Sequence, residues 1–233
     1  MLQLLLLLVL PASAICAEPR VTVIEVDTKK QRLELFLYDD KGKPFGTFYR
    51  LSKFLASKNQ KLLFAMNAGM YQVDRSPVGL YIENGRTYKQ INMRSGTTNF
   101  TMKPNGVFAV SANGPMVVES NQYKKLKVPI RIATQSGPML VIDGKINPKF
   151  SVDSQSKFIR NGVCVIGSKA FFAISETRVN FYEFARYFKE KLNCKNALYF
   201  DGNVSSLYSV DLKRSDLKVE LGPIIAVTQK VDD

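Results

Sequence analysis

The 233-residue sequence predicts an α+β fold, with a mixed, largely antiparallel β-sheet core, a few covering helices and a single domain. Three observations carry that expectation. Short apolar runs recur along the chain, many of them closed by Asn-Gly or Asp-Gly, the strongest short-range hairpin signal. One stretch only, from Asn180 to Leu192, combines helical apolar spacing with a helix-start signature. No linker long enough to mark a second domain interrupts residues 18–233, and the hydrophobic fraction of 45% and charged fraction of 23% are those of an ordinary globular protein. The turns recur without a fixed period, which argues against a repeat array.

Taken in order, residues 1–17 have the layout of a secretory signal peptide. The run LQLLLLLVL (2–10) is too short to span a bilayer and is followed by small residues through Ala17. No Lys or Arg precedes Arg20, so the usual basic start is missing; cleavage suits Ala14 or Ala17, and the bulky Ile15 argues against a lipid anchor on Cys16. An exported protein, periplasmic or secreted, with no transmembrane segment in the mature chain is expected.

Val21 to Val26 and Leu33 to Tyr38 flank Thr28-Lys29-Lys30 and read as a hairpin, with Phe45 to Leu51 as the next strand and Ser52 to Gln60 as a short helix or loop. Lys61 to Met66 is an apolar strand ending in Asn67-Ala68-Gly69. Val78 to Ile82 turns at Asn84-Gly85. Val107 to Val110 follows Pro104-Asn105-Gly106 and returns through Met116 to Glu119. Arg131 to Gln135 enters Ser136-Gly137-Pro138, and Met139 to Ile142 meets Asp143-Gly144. Arg160-Asn161-Gly162 opens Val163 to Ile166, which returns as Ala170 to Ser175. Asn180 can then cap a helix with Glu183 three residues on, and Phe181, Phe184, Ala185, Phe188 and Leu192 form its core-facing stripe. Ala197 to Phe200 reads as a buried strand that delivers Asp201 to its tip, where Gly202 and Asn203 turn the chain before Ser205 and Ser206. Leu217 to Val227 supplies the last strands.

Composition excludes several chemistries. Histidine is absent, so neither a Ser-His-Asp or Cys-His system nor His-ligated zinc can be built. No glycine-rich phosphate-cradling motif is present, and Ser154-Gln155-Ser156-Lys157 lacks the companion motifs of the acyl-transferring serine enzymes. The net charge of +13 favours anionic partners, whether phosphate-bearing substrates, acidic glycans or membrane surfaces, or nucleic acid, and does not choose among them; the expected export argues against nucleic acid. With Cys16 removed, Cys164 and Cys194 remain, either as one disulfide in an oxidising compartment or as two small core residues in a reducing one.

Five strand tips share one design, an apolar strand meeting small polar residues: those at Asn67, Asn105, Ser136, Asn161 and Asp201. Any one of them reads as a turn. Converging, they would make a cleft of amides and hydroxyls, with Arg160 for an anion and Asp201 for proton transfer or as a ligand to a divalent cation held by oxygens. Glu83, Asp143 and Glu176 are unranked candidates for a second carboxylate.

The segments FAMNAGMY (64–71), PVGLYIENG (77–85), KPNGVFAV (103–110), ATQSGPMLVIDG (133–144), SKFIRNGVCVIG (156–167) and NALYFDGNVSSLY (196–208) resemble, in that order, the phosphodiester glycosidase domain family. That family includes the enzyme that removes N-acetylglucosamine from the phosphodiester masking mannose 6-phosphate. The resemblance implies an exported hydrolase that cleaves a sugar from a phosphodiester or related glycosidic linkage. It implies Asp201, Arg160 and Asn67 as catalytic groups, and Gly69, Asn105, Gly106, Ser136, Gly137, Asn161, Gly202, Ser205 and Ser206 as substrate-binding ones. Where the family type has D-G-G-G-S-S, this chain has Asp201-Gly202-Asn203-Val204-Ser205-Ser206, so Val204 is expected to narrow or reshape a phosphate contact. A non-enzymatic envelope module that binds anionic glycan in the same cleft is the alternative.

Overall fold

The computed structural model describes residues 18–216 and 219–231; the expected signal peptide (1–17) and Leu217 lie outside them. In chain order the elements are β1 (Val21–Asp27), β2 (Arg32–Phe36), α1 (Phe48–Ala56), β3 (Gln60–Asn67), β4 (Tyr81–Glu83), β5 (Arg86–Lys89), β6 (Gly106–Ser111), β7 (Gly114–Glu119), α2 (Ser120–Tyr123), β8 (Ile130–Ser136), β9 (Met139–Ile142), β10 (Lys145–Ile146), β11 (Asn161–Ile166), β12 (Lys169–Ser175), α3 (Phe181–Glu190), β13 (Ala197–Tyr199), a 3-10 turn (Gly202–Val204), β14 (Leu207–Ser209), β15 (Arg214–Ser215) and β16 (Ile224–Lys230).

The strands form three sheets, ordered β1-β12-β11-β13-β9-β10, β15-β14-β3-β16-β2 and β5-β4-β8-β6-β7. The pairings of the first sheet are antiparallel, and so are those of the second and third. The expected α+β class therefore holds, with helices confined to the outside of antiparallel sheets.

All three sheets face one apolar core. Val163, Phe172 and Leu198 enter it from the first sheet, Leu33, Met66 and Ile225 from the second, and Tyr81, Phe108 and Ile132 from the third. The period of two then decides what covers the outer faces. On the first sheet, Val141, Cys164 and Ala197 point outward under Phe184, Ala185 and Phe188 of α3. On the second, Leu62, Ala65, Ile224 and Ala226 point outward under Phe48, Leu51 and Leu55 of α1. The expected capping box opens α3: Glu183 N–H donates to Asn180 Oδ1 and Asn180 N–H to Glu183 Oε2, both at 2.8 Å. Cys164 and Cys194 form a disulfide with Cα atoms 6.1 Å apart, tying the exit of α3 to the strand it covers.

Two expectations are corrected. β1 and β2 are not a hairpin: β1 lies along β12 and β2 along β16, in different sheets. Lys30 and Gln31 both donate backbone N–H to Asp27 O, at 2.9 and 2.8 Å, so the connection coils in place of making a two-residue turn and the strands splay. Phe45 to Leu51 is not a strand either, because α1 begins at Phe48. Thr47 caps it by accepting from Arg50 N–H at 3.1 Å, and the buried Phe48, Leu51 and Leu55 fall on one helical face.

Candidate active site

The three sheets end together at one point. Asn67 closes β3 in the second sheet, Asn161 opens β11 in the first, Ser136 closes β8 in the third, and Phe200 carries the chain from β13 to Asp201. Two buried amides join the first two sheets there. Asn161 Nδ2 donates to Asn67 Oδ1 and to Asn67 O, both at 3.0 Å. Asn67 Nδ2 donates to Asp201 O at 3.1 Å, and Asn67 Oδ1 also accepts Ser206 N–H at 2.9 Å. Asn161 Oδ1 accepts from Ser205 Oγ at 3.2 Å and from Asp201 N–H at 3.3 Å. Ser136 Oγ donates to Phe200 O at 2.7 Å. The backbone from Phe200 to Ser206 is thus held on three sides by side chains from distant strands, every one of them buried and hydrogen-bonded.

What this frame presents is the Asp201 carboxyl, which is half-buried. Burial lifts it from 3.8 to about 6, against a smaller opposing pull from the Asn203 backbone amide. Two phenols stand close enough to feel its charge. Tyr199 is pushed up to about 12, mainly by burial and in part by Asp201, with Arg160 opposing. Tyr71 is raised by burial and by Asp201. Tyr199 Oη accepts Gly202 N–H, and a Cβ on Gly202 would collide with that hydroxyl, so glycine is required beside Asp201 for close approach and not for backbone conformation. Tyr71 Oη donates to Glu220 O at 2.8 Å, and its ring lies against Gly222.

Several residues expected at the cleft are placed otherwise. Arg160 is only 1% exposed; Nε donates to Val179 O at 2.9 Å, Nη2 to Ser156 O at 2.7 Å, and the guanidinium lies 3.7 Å from the Phe181 ring centroid. It is a core cation behind Tyr199 and does not reach an anion in the cleft. The alternation of β11 explains this, since Cys164 faces α3 and Val163 the common core, which sends Arg160 towards α3 and Asn161 towards the site. Asn67, expected as catalytic, has its amide fully engaged and positions Asp201 instead.

Among the expected substrate-binding residues, Ser136, Asn161, Ser205 and Ser206 are likewise buried scaffold. Asn105 is buried, donating to Phe100 O at 3.0 Å and accepting from Lys103 Nζ at 3.1 Å. Gly137 is needed because a Cβ there would sit 2.7 Å from Asn105 Cβ, and Gly106 because one would sit 2.9 Å from Val118 O. A Cβ on Gly69 would strike Thr134 Oγ1, to which Gly69 N–H donates at 3.1 Å. Four tips therefore share one network beneath Asp201, and the fifth, at Asn105, reaches it through Gly137. Val204 packs inward against the α1 core, so it anchors the turn and does not narrow the cleft.

The candidate second carboxylates are engaged elsewhere: Glu83 accepts from Tyr81 Oη at 2.6 Å, Glu176 pairs with Arg214 at 2.5 Å, and Asp143 lies in the β9–β10 turn. Among the described residues no group of three or more carboxylate or cysteine side chains is arranged to hold a metal ion. Sequence reasoning missed Tyr71 and Tyr199. Tyr199 could have been found from the alternation of Ala197 to Phe200, which puts it on the face away from Leu198 and Phe200 and leaves its hydroxyl seeking a partner.

An antiparallel scaffold that brings three sheets to one desolvated carboxyl has the form of a candidate active site. The chain belongs to the phosphodiester glycosidase family, which it matches over residues 60–227. It is 38% identical over 213 residues to the uncharacterized protein YigE of Escherichia coli (strain K12), an alignment covering 88% of this chain and 83% of that one. Its fold is similar to the catalytic domain of zebrafish N-acetylglucosamine-1-phosphodiester alpha-N-acetylglucosaminidase auto-inhibited by its pro-peptide, with a TM-score of 0.58, 14% identity, and 93% of this chain and 86% of that one covered. A Burkholderia pseudomallei K96243 protein provisionally named as exported is similar too, with a TM-score of 0.55, 10% identity, and 89% and 73% covered. At such identities these structures speak to the fold, and they agree with the three-sheet architecture.

Proposed function

We propose that the protein is an exported hydrolase that releases a sugar from a phosphodiester, with Asp201 as general base. The carrying observation is a half-buried carboxyl raised to about 6 without a second carboxylate among the groups that shift it. Hydrolysis of an ordinary glycoside uses two carboxyl groups, one of them an acid for a poorly departing alcohol. A phosphate monoester departs far more readily, since its second ionisation lies at about 6. A single base is then sufficient. Above pH 6 the Asp201 carboxylate takes a proton from water as the water oxygen bonds to the anomeric carbon, and the bond from that carbon to the phosphate oxygen breaks to release the monoester. Tyr71 and Tyr199, held neutral by their raised pKa values, stay hydrogen-bonding groups beside the carboxylate. Export is supported by the disulfide, which belongs to oxidising compartments, and the +13 charge favours an anionic substrate.

The test is release of N-acetylglucosamine from a simple alkyl phosphodiester of the sugar. Wild type should turn over with a rate that rises through about pH 6, and Asp201→Asn should lose roughly 10²- to 10⁴-fold, the usual worth of a positioned base. Equal turnover in the two proteins removes Asp201 from the chemistry. Binding of anionic glycan by wild type without turnover identifies the envelope glycan-binding module instead.

A further inference from the structure

A cavity of about 890 Å³ is lined in part by Gln72, Val78, Tyr88, Lys89, Asn92 and Arg94. Two of its lining residues connect to the site through one neighbour each. Gln72 follows Tyr71, whose phenol responds to the charge of Asp201. Asn92 is gripped by Gln135, the neighbour of Ser136: Asn92 N–H donates to Gln135 Oε1 at 2.8 Å and Gln135 Nε2 donates to Asn92 O at 2.7 Å. Asn92 Nδ2 also donates to Val78 O at 3.0 Å, which closes the wall between the two segments. An irregular stretch is thereby fixed in place, with Lys89 and Arg94 at its ends exposed.

The lining has a definite chemistry. Lys89 and Arg94 are exposed, and among the described residues neither takes part in a salt bridge. The nearby acid that feels Lys89 is Asp74, whose Oδ1 is held by Ser76 N–H at 2.9 Å and Ser76 Oγ at 2.7 Å. Tyr88, 47% exposed, offers a ring face, with the Arg86 guanidinium 4.8 Å from its centroid. Gln72 and Gln90, both exposed, supply amides suited to sugar hydroxyls. The volume lies near the upper end of the roughly 300–1,000 Å³ usual for ligand sites, more than one sugar ring requires.

We propose that this cavity is a leaving-group subsite for a glycan that carries further phosphodiesters beyond the one cleaved, so that the substrate is a phosphodiester-repeat oligosaccharide and not a single sugar phosphodiester. The inference rests on the hydrolase proposal for Asp201. Lys89 and Arg94 hold the next phosphate, Tyr88 stacks on a sugar face, and the amides orient the hydroxyls.

Two substrates of the same sugar, with one and with three phosphodiester linkages, test it. Wild type should show a KM roughly tenfold lower for the three-linkage substrate, and the Lys89→Ala/Arg94→Ala variant should bring that KM up to the one-linkage value. Equal KM values for the two substrates in wild type would overturn the subsite. Where wild type hydrolyses neither substrate, calorimetric binding of the three-linkage substrate to Asp201→Asn protein decides separately. Binding that is lost in the same protein carrying Lys89→Ala and Arg94→Ala retains the subsite while the hydrolase proposal falls; no binding, or equal binding of a neutral glycan of the same length, overturns the subsite.

Discussion

Replacing Asp201 by Asn should stabilise the protein while removing its activity, and the amount follows from the site. The native carboxyl titrates at about 6 and its ordinary value is 3.8. Between those pH values the folded chain holds a proton that the unfolded chain has released, so stability falls as pH rises through that window. A displacement of about two pH units, at about 1.4 kcal/mol each, makes the ionised carboxylate cost about 3 kcal/mol at neutral pH. Asn has nearly the same shape and no charge to desolvate. Thermal unfolding at pH 4 should show the two proteins nearly equal, and at pH 7.5 the variant should melt roughly 6–12 °C higher, taking 2–4 °C per kcal/mol for a domain of this size. A variant that is less stable at pH 7.5, or a difference that does not change with pH, would refute the claim that the frame holds this carboxyl out of water. The confirmed result would make Asp201 a group retained against stability for its function.

Three further outcomes are expected. Asn161→Ala strips the acceptor shared by Ser205 and Asp201 and the donor to Asn67, and should destabilise by about 2–4 kcal/mol in urea titrations, with turnover lost in the protein that remains folded. Gly202→Ala should cost about 1–3 kcal/mol by collision with the Tyr199 hydroxyl, and adding Tyr199→Phe should cost less than the sum of the two single changes; strict additivity in the cycle would mean that the hydroxyl is not the obstacle. Reduction of Cys164–Cys194, with a sequence separation of 30, should lower stability by about 3–4 kcal/mol, and intact mass should rise by two hydrogens on reduction; no mass change would show that the bond is absent.

The turns and the long helix were legible because their signals are local. Asn84-Gly85 and Asp143-Gly144 each put two consecutive residues at positive φ, at 50° and 78° and at 47° and 78°, which is what the tight hairpins β4–β5 and β9–β10 require. The Asn180–Glu183 capping box is equally self-contained. What was not legible depends on partners remote in sequence. Nothing in Val21 to Tyr38 says that β1 will prefer β12 and β2 will prefer β16, since both strands are apolar enough for either sheet. The site divides along the same line. Asp201 at a strand tip could be found, and so could the family, but the facing of Arg160 and the burial of Asn67, Asn105 and Ser136 follow from packing of whole sheets. Polar residues at apolar strand ends looked like ligand contacts, whereas here most of them answer the backbone's own need for partners.

The amide pair of Asn67 and Asn161 bridges residues 94 positions apart, and Asn67 reaches Ser206 across 139. Bonds of that span form only when distant strands have already docked, so the frame of the candidate site belongs to the late, high-contact-order part of folding. A chain caught in transit, or with one sheet detached, has no partly working site. Turnover should therefore return in refolding together with the last structural phase, and a chain that crosses a membrane unfolded would stay inert until its sheets assemble on the far side.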